Sequence, residues 1–230
     1  MKIQEKIQLE YEGLIQHGAI TIVVFGDSVS HGAFGDGEID YDSVYHTLLK
    51  NKILAIRNYV PVNVINSAIG GITAHGSLGR YESQALSHNP DLLIIMFGLN
   101  DVNGPLDEYL NALKEMFDKA KARGIDTVFM TPNMMNTALD PRLTDPDFLA
   151  IAENCAFMQN ESVFDRHIEA ARALCRKKQI PVCDCYALWK QMAGKGVDTT
   201  ALLSNHINHP LREMHVLFAY ELVRTVFSED

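Results

Sequence analysis

The sequence predicts an α/β fold: a three-layer, doubly wound domain built on a five-stranded parallel sheet. Two observations lead there. Five short apolar runs occur at residues 19–26 (AITIVVFG), 61–68 (PVNVINSA), 91–98 (DLLIIMFG), 125–132 (IDTVFMTP) and 180–185 (IPVCDC). Nearly continuous apolar runs of this length fit strands covered on both faces. Longer helix-compatible segments separate them, and such alternation means βαβ units feeding one sheet.

In chain order, the first strand is followed by a helical pattern near residues 42–57, the second by one near 77–87, and the third by one at 106–123 that stops at Gly124. The stretch 132–160 after the fourth strand reads as the longest irregular connection, and long loops at that edge shape pockets. A helix near 160–178 closes on Arg176, Lys177 and Lys178, cations that complement a helix C-terminus. An amphipathic segment, LREMHVLFAYELVRTVF, ends the pattern. There is no repeat, low-complexity tract or linker, so residues 1–230 are expected to form a single domain.

Composition narrows the function classes. Twenty basic against 29 acidic residues give a net charge of -9, which argues against a nucleic-acid or anionic-membrane surface. The N-terminus lacks a signal-peptide core, and the longest apolar stretch, LLIIMF, is too short to span a bilayer. The expected location is the cytoplasm, where Cys155, Cys175, Cys183 and Cys185 should be reduced and mostly buried.

In open parallel sheets, ligands sit outside the carboxyl ends of the strands, so the loops there are where chemistry is sought. The first, FGDSVSHG, places Ser28 two residues past the strand. It lacks a P-loop lysine and the dinucleotide G-x-G-x-x-G spacing. That leaves a helix N-cap on Asp27 or Ser28, or a nucleophile on a turn. The second, NSAIGGIT, carries paired glycines that let the backbone approach a ligand. The third, FGLNDVN, offers the Asn100 amide to an oxyanion, with Asp101 bracing the loop. Near the end, SNHINHP holds His206 and His209.

Ser28, Gly71, Asn100 and His209, in this order, resemble the four blocks of the SGNH hydrolase superfamily, also called GDSL esterases. VVFGDSVSHG is similar to the first block, with Val29 where the family often has leucine. INSAIGGIT resembles the second, and its asparagine and threonine put the family glycine on Gly71 rather than Gly70. IIMFGLNDV resembles the third, and NHP before an amphipathic helix the fourth. The resemblance covers about residues 20 to 220. It implies a flavodoxin-like sheet and acyl transfer: Ser28 as nucleophile, His209 as base, and an oxyanion hole of the Ser28 and Gly71 N–H groups with the Asn100 amide.

One position departs from the family. Where the fourth block has an aspartate three residues before the histidine, this chain has His206. Loss of a triad acid typically reduces kcat about 10⁴-fold, so a substitute is expected. Three remain open: a backbone carbonyl in the 204–207 loop, Asp198, or His206 itself. A zinc site on His206, His209 and His215 is disfavoured, because no acidic or cysteine ligand lies nearby and Pro210 breaks the helix that would align the pair. His31 and His75 lie in loops bordering the site.

No cofactor is expected. The expected partner is a small-molecule ester, favoured as the acetyl ester of a carbohydrate, and self-association into a homo-oligomer is left open. The alternatives are a lysophospholipase- or thioesterase-type lipolytic acylhydrolase, or a weakened, SGNH-like ligand-binding module. The retained serine, asparagine and histidine speak against the last.

Overall fold

The computed structural model describes residues 2–35 and 37–227. Five parallel strands form one sheet in the order β2-β1-β3-β4-β5: β1 (Ile20–Gly26), β2 (Val62–Asn66), β3 (Leu92–Met96), β4 (Thr127–Met130) and β5 (Val182–Cys183). Each lies inside a run expected to be a strand. β1 is paired on both sides, Val24 standing level with Asn66 on β2 and Ile94 on β3.

Successive strand residues point to opposite faces, and two apolar layers result. Ile22, Val24, Leu92, Ile94 and Met96 face one layer; Val23, Phe25, Leu93, Ile95 and Phe97 face the other. All ten are buried, which accounts for apolar runs without polar alternation. Truncating a phenylalanine in such a layer costs about 3–5 kcal/mol.

The helices cover both faces. The chain begins with α1 (Ile3–Lys6) and α2 (Tyr11–His17), and the four-residue α3 (Ser28–His31) follows β1 directly. Then come α4 (Tyr45–Ile56), α5 (Ala74–Gln84), α6 (Leu106–Ala122), α7 (Pro146–Asn160), α8 (Val163–Lys178), α9 (Cys185–Gly194) and α10 (Arg212–Phe227). α10 packs on α4 on the first face, and α5 packs on α6 on the second. α6 stops as expected, with Gly124 at φ +67°, and α8 ends on its three cations. The four cysteines are free and buried.

Three expectations need correction. Residues 132–160 are not irregular throughout: α7 occupies their second half, capped by Asp145, whose carboxylate accepts the Asp147 and Phe148 N–H groups. The segment gives no apolar stripe because Phe148, Ile151 and Phe157 are exposed. α5 starts earlier than expected, since the Thr73 hydroxyl accepts the Gly76 N–H at 3.0 Å and sets its N-terminus. β5 shrinks to two residues because Asp184 already caps α9, accepting the Ala187 N–H at 3.1 Å.

Candidate active site

The strand order brings three loops to the carboxyl edge of β1, β2 and β3. At the end of β1, Asp27 caps α3 by accepting the Val29 N–H at 3.1 Å. Ser28 therefore sits in the first turn, where backbone N–H groups have no partner within the helix. Its Oγ lies 2.9 Å from His209 Nε2.

His209 reaches Ser28 from the segment that enters α10. Asn205 organises that turn, its Oδ1 accepting the N–H groups of Ile207, Asn208 and His209 at 3.1, 2.9 and 2.8 Å. Leu203 and Pro210 form an antiparallel bridge across its neck.

The other ring nitrogen, His209 Nδ1, lies 2.9 Å from the carbonyl oxygen of Phe34. A carbonyl only accepts, so Nδ1 carries the proton and donates it. Nε2 is then left with its lone pair facing the serine hydroxyl. Burial pushes the His209 pKa below the ordinary 6.5, opposed by the hydrogen bond to Phe34, and this favours the neutral ring.

The second loop is tied to both neighbours. Ile69 N–H donates to Gly26 O at 3.1 Å, and Gly70 N–H donates to His31 Nδ1 at 3.3 Å. Gly71 has φ +77°, a conformation strained for other residues, and among the described residues its N–H meets no acceptor. In the third loop, Asn100 Nδ2 donates to Ile72 O at 3.1 Å, while Asp101 accepts the Ala74 N–H at 2.8 Å. Asn100 thus lies against the turn that carries Gly71. Asp27 and Asp101 both brace their loops through backbone N–H groups, as the sequence led one to expect.

The expected substitutes for the missing acid resolve differently. A backbone carbonyl does hold His209, but it belongs to Phe34 and not to the 204–207 loop. Within that loop, Ile207 O is already engaged by the Asn136 N–H at 2.8 Å. Asp198 instead accepts the Thr200 and Ala201 N–H groups at 3.0 and 3.3 Å. His206 adopts φ +55°, and its Nδ1 stands 3.4 Å from both Asp140 Oδ2 and Arg142 Nη2. His215 is fully buried, with Nδ1 accepting the Tyr45 N–H at 3.2 Å, so it does not converge with the other two histidines. His75 is exposed on the first turn of α5.

The model of the GDSL-like lipase/acylhydrolase family matches residues 24–217. The chain belongs to this family. It is accordingly a carboxylic ester hydrolase of GDSL type. Axe2, an acetylxylan esterase from Geobacillus stearothermophilus, superposes with a TM-score of 0.71 at 20% identity, over 91% of this chain and 95% of that one. LAE5, an alpha/beta hydrolase from the metagenome of Lake Arreo, Spain, gives 0.69 at 18% identity, over 90% and 96%. At such identities these likenesses show the fold.

A curated relative, the uncharacterised lipoprotein YqeF of Bacillus subtilis, is 27% identical over 118 residues. The match spans 47% of that protein's length and 48% of this GDSL-family chain. Among the described residues, no helix is long and apolar enough to cross a membrane.

Two buried carboxylates lie beside the site of this acylhydrolase. Burial raises Asp27 to about 7, with the charge of Asp101 contributing, and raises Asp101 itself to about 6. Each has one oxygen, Oδ2, that is buried without a hydrogen-bond partner among the described residues. A protonated acid needs less solvation than a carboxylate, which is why burial moves both in this direction.

Phe34 and Asn205 are the site residues that the sequence did not disclose. A carbonyl acceptor leaves no side-chain signal, but Asn205, just before the histidine pair, is a good local turn-former and could have been read as one.

Proposed function

We propose that this hydrolase cleaves a small acyl ester, favouring the acetyl ester of a carbohydrate, through an acyl-enzyme on Ser28. The observation that carries this reading is the aligned relay of Ser28 Oγ, His209 and Phe34 O, with both contacts at 2.9 Å. Ser28 Oγ attacks the ester carbonyl as His209 Nε2 takes its proton. The imidazolium returns that proton to the leaving alcohol, and water then repeats the sequence on the acyl-enzyme.

The Ser28 and Gly71 N–H groups and the Asn100 amide serve as donors to the developing oxyanion, each worth about 3 kcal/mol. The choice of Gly71 over Gly70 is supported by the Gly70 N–H being engaged with His31. Support for an acetyl-sugar substrate comes from the fold shared with an acetylxylan esterase over 91% of this chain. Catalytic mutants of Axe2 replace a serine, an aspartate and a histidine, the last two three positions apart. The same spacing here holds His206 and His209, so the chain retains two of those three residue types.

A second reading, a longer acyl chain, draws on the exposed apolar groups Leu139, Phe148 and Ile151 around the start of α7. Rates on p-nitrophenyl acetate, butyrate and octanoate decide between them, since a small-acyl site is fastest on acetate. Turnover of the acetate ester, covalent labelling of Ser28 by a fluorophosphonate and loss of both in Ser28→Ala test the reaction itself. Wild-type turnover retained in Ser28→Ala would rule out the acyl-enzyme assignment.

A further inference from the structure

We propose that Arg212 is a positioning residue for this site: it locks residues 33–35 and 37–40 against the histidine segment, so that the Phe34 carbonyl stays bonded to the His209 ring. The inference rests on the reading of His209 as the base. An acid on the histidine's own turn keeps its place through a few peptide bonds. Here the acceptor belongs to a different part of the chain, and the His209–Phe34 bond persists only while two separate segments hold their register.

The acceptor segment is a short hairpin. Phe34 N–H donates to Glu38 O and Asp40 N–H to Gly32 O, both at 2.9 Å, and Ala33 bridges Ile39. Arg212, three residues after His209 and first in α10, spans from the histidine segment to this hairpin at three points. Its Nε donates to Asp40 Oδ2 at 2.8 Å and its Nη2 to Glu38 Oε1 at 2.5 Å. Its guanidinium lies over the Phe34 ring, 4.5 Å from the centroid. This planar, forked use of the group is one that lysine reproduces only in charge.

Two further contacts join the same pieces. The His215 ring, also on α10, packs on the Phe34 ring with centroids 4.9 Å apart. A Cβ on Gly35 would stand 2.8 Å from Ser204 O, so the hairpin rests directly on the backbone of the histidine segment. Hydrogen bonds from Ser43 and Arg212 hold the Asp40 carboxyl well below the usual carboxylate range, so this anchor stays charged at working pH.

Exposed ion pairs stabilise a fold little, and the Arg212 side chain is 43% exposed. A role confined to stability therefore predicts small effects everywhere, whereas a positioning role predicts a selective loss of kcat. A shift of an ångström at a reacting group can reduce rate about 10²-fold.

The test uses the full chain and p-nitrophenyl acetate. Arg212→Ala is expected to lower kcat by about 10- to 10²-fold with KM within about threefold of wild type. Its melting temperature should lie within a few degrees of wild type, millimolar guanidinium should restore part of the rate, and Arg212→Lys should fall between the two. The Arg212→Ala/Asp40→Asn double variant should be no slower than Arg212→Ala, since both changes break one link.

If Arg212→Ala does not fold, Glu38→Gln/Asp40→Asn removes the same anchors from the hairpin and should show the same kcat loss. A kcat within twofold of wild type, or losses that simply multiply in the double variant, overturns the proposal while leaving the esterase reading intact. An inactive wild-type protein overturns the reading of His209 and this inference with it.

Discussion

His209 Nδ1 and the Phe34 carbonyl oxygen stand 2.9 Å apart although 175 residues separate them in the chain. That bond sets the tautomer in which Nε2 faces Ser28. It supplies no formal negative charge, so of the two services a triad carboxylate performs, orientation and charge stabilisation, the carbonyl performs the first.

If the carbonyl is the orienting group, no nearby side chain behaves as a triad acid. His206→Ala and Asp198→Asn should each reduce kcat by less than about tenfold, and His209→Ala by at least about 10³-fold. Asp198→Asn measures the cap on the 200–201 turn, and His206→Ala the contact with Asp140. A loss of about 10⁴-fold in Asp198→Asn, with the fold retained, would make that carboxylate functionally coupled to the site after all.

The pH dependence follows from burial. Desolvation favours the neutral imidazole and lowers its pKa below 6.5. Because the proposed mechanism has the neutral form accept the serine proton, kcat/KM should rise with an acid limb below pH 6.5 and then remain level toward pH 8. A pH–rate profile on a substrate without ionisable groups measures it. An acid limb above pH 7 would mean that a negative charge stabilises the imidazolium.

Asn100→Ala should lower kcat about 10²- to 10³-fold with a smaller change in KM, as expected for a donor used mainly in the transition state. The substitution also releases Ile72 O, so Gly71→Ala provides the control. At φ +77° the alanine is strained although its Cβ meets nothing within 4 Å, so a rate loss there reports displacement of the turn and of the Gly71 N–H it carries, with the Asn100 amide left in place. An unchanged kcat in Asn100→Ala removes the amide from the oxyanion hole.

Asp27 carries a prediction about stability. Its carboxyl titrates at about 7 in the fold against 3.8 ordinarily, so across that window the folded chain holds a proton that the unfolded chain has released. Stability then falls as pH rises from about 4 to about 7 and changes no further through this group above that. Asparagine caps a helix comparably and does not titrate. Melting temperatures of Asp27→Asn and wild type should therefore diverge in the variant's favour between pH 4.5 and 7.5. Parallel curves across that range would count against a protonated Asp27.

The parts legible in the sequence share a physical cause. Strands β1, β3 and β4 announce themselves because both faces are buried, leaving no polar position to interrupt the run. Ser28, Asn100 and His209 could be named because a side chain does each proposed job and each follows a strand or precedes the last helix. α7 stayed hidden because Phe148, Ile151 and Phe157 face solvent and blur the helical period, although Asp145 followed by Pro146 is a helix-start signature. Phe34 stayed hidden for a different reason. What matters there is a main-chain oxygen, which every residue possesses, and only the folded hairpin selects it.

The contact between Ser28 and His209 closes a loop of 181 residues. Helices such as α6 can form in microseconds from neighbours in the chain, but this contact requires the parallel sheet to be laid down and α10 to dock on α4. Topologies dominated by such distant pairings fold slowly. During refolding from denaturant, ester turnover should therefore reappear after the far-ultraviolet helical signal has recovered. Hydrolysis would then act as a clock for the final closure of the chain, a step to which backbone spectroscopy is nearly blind.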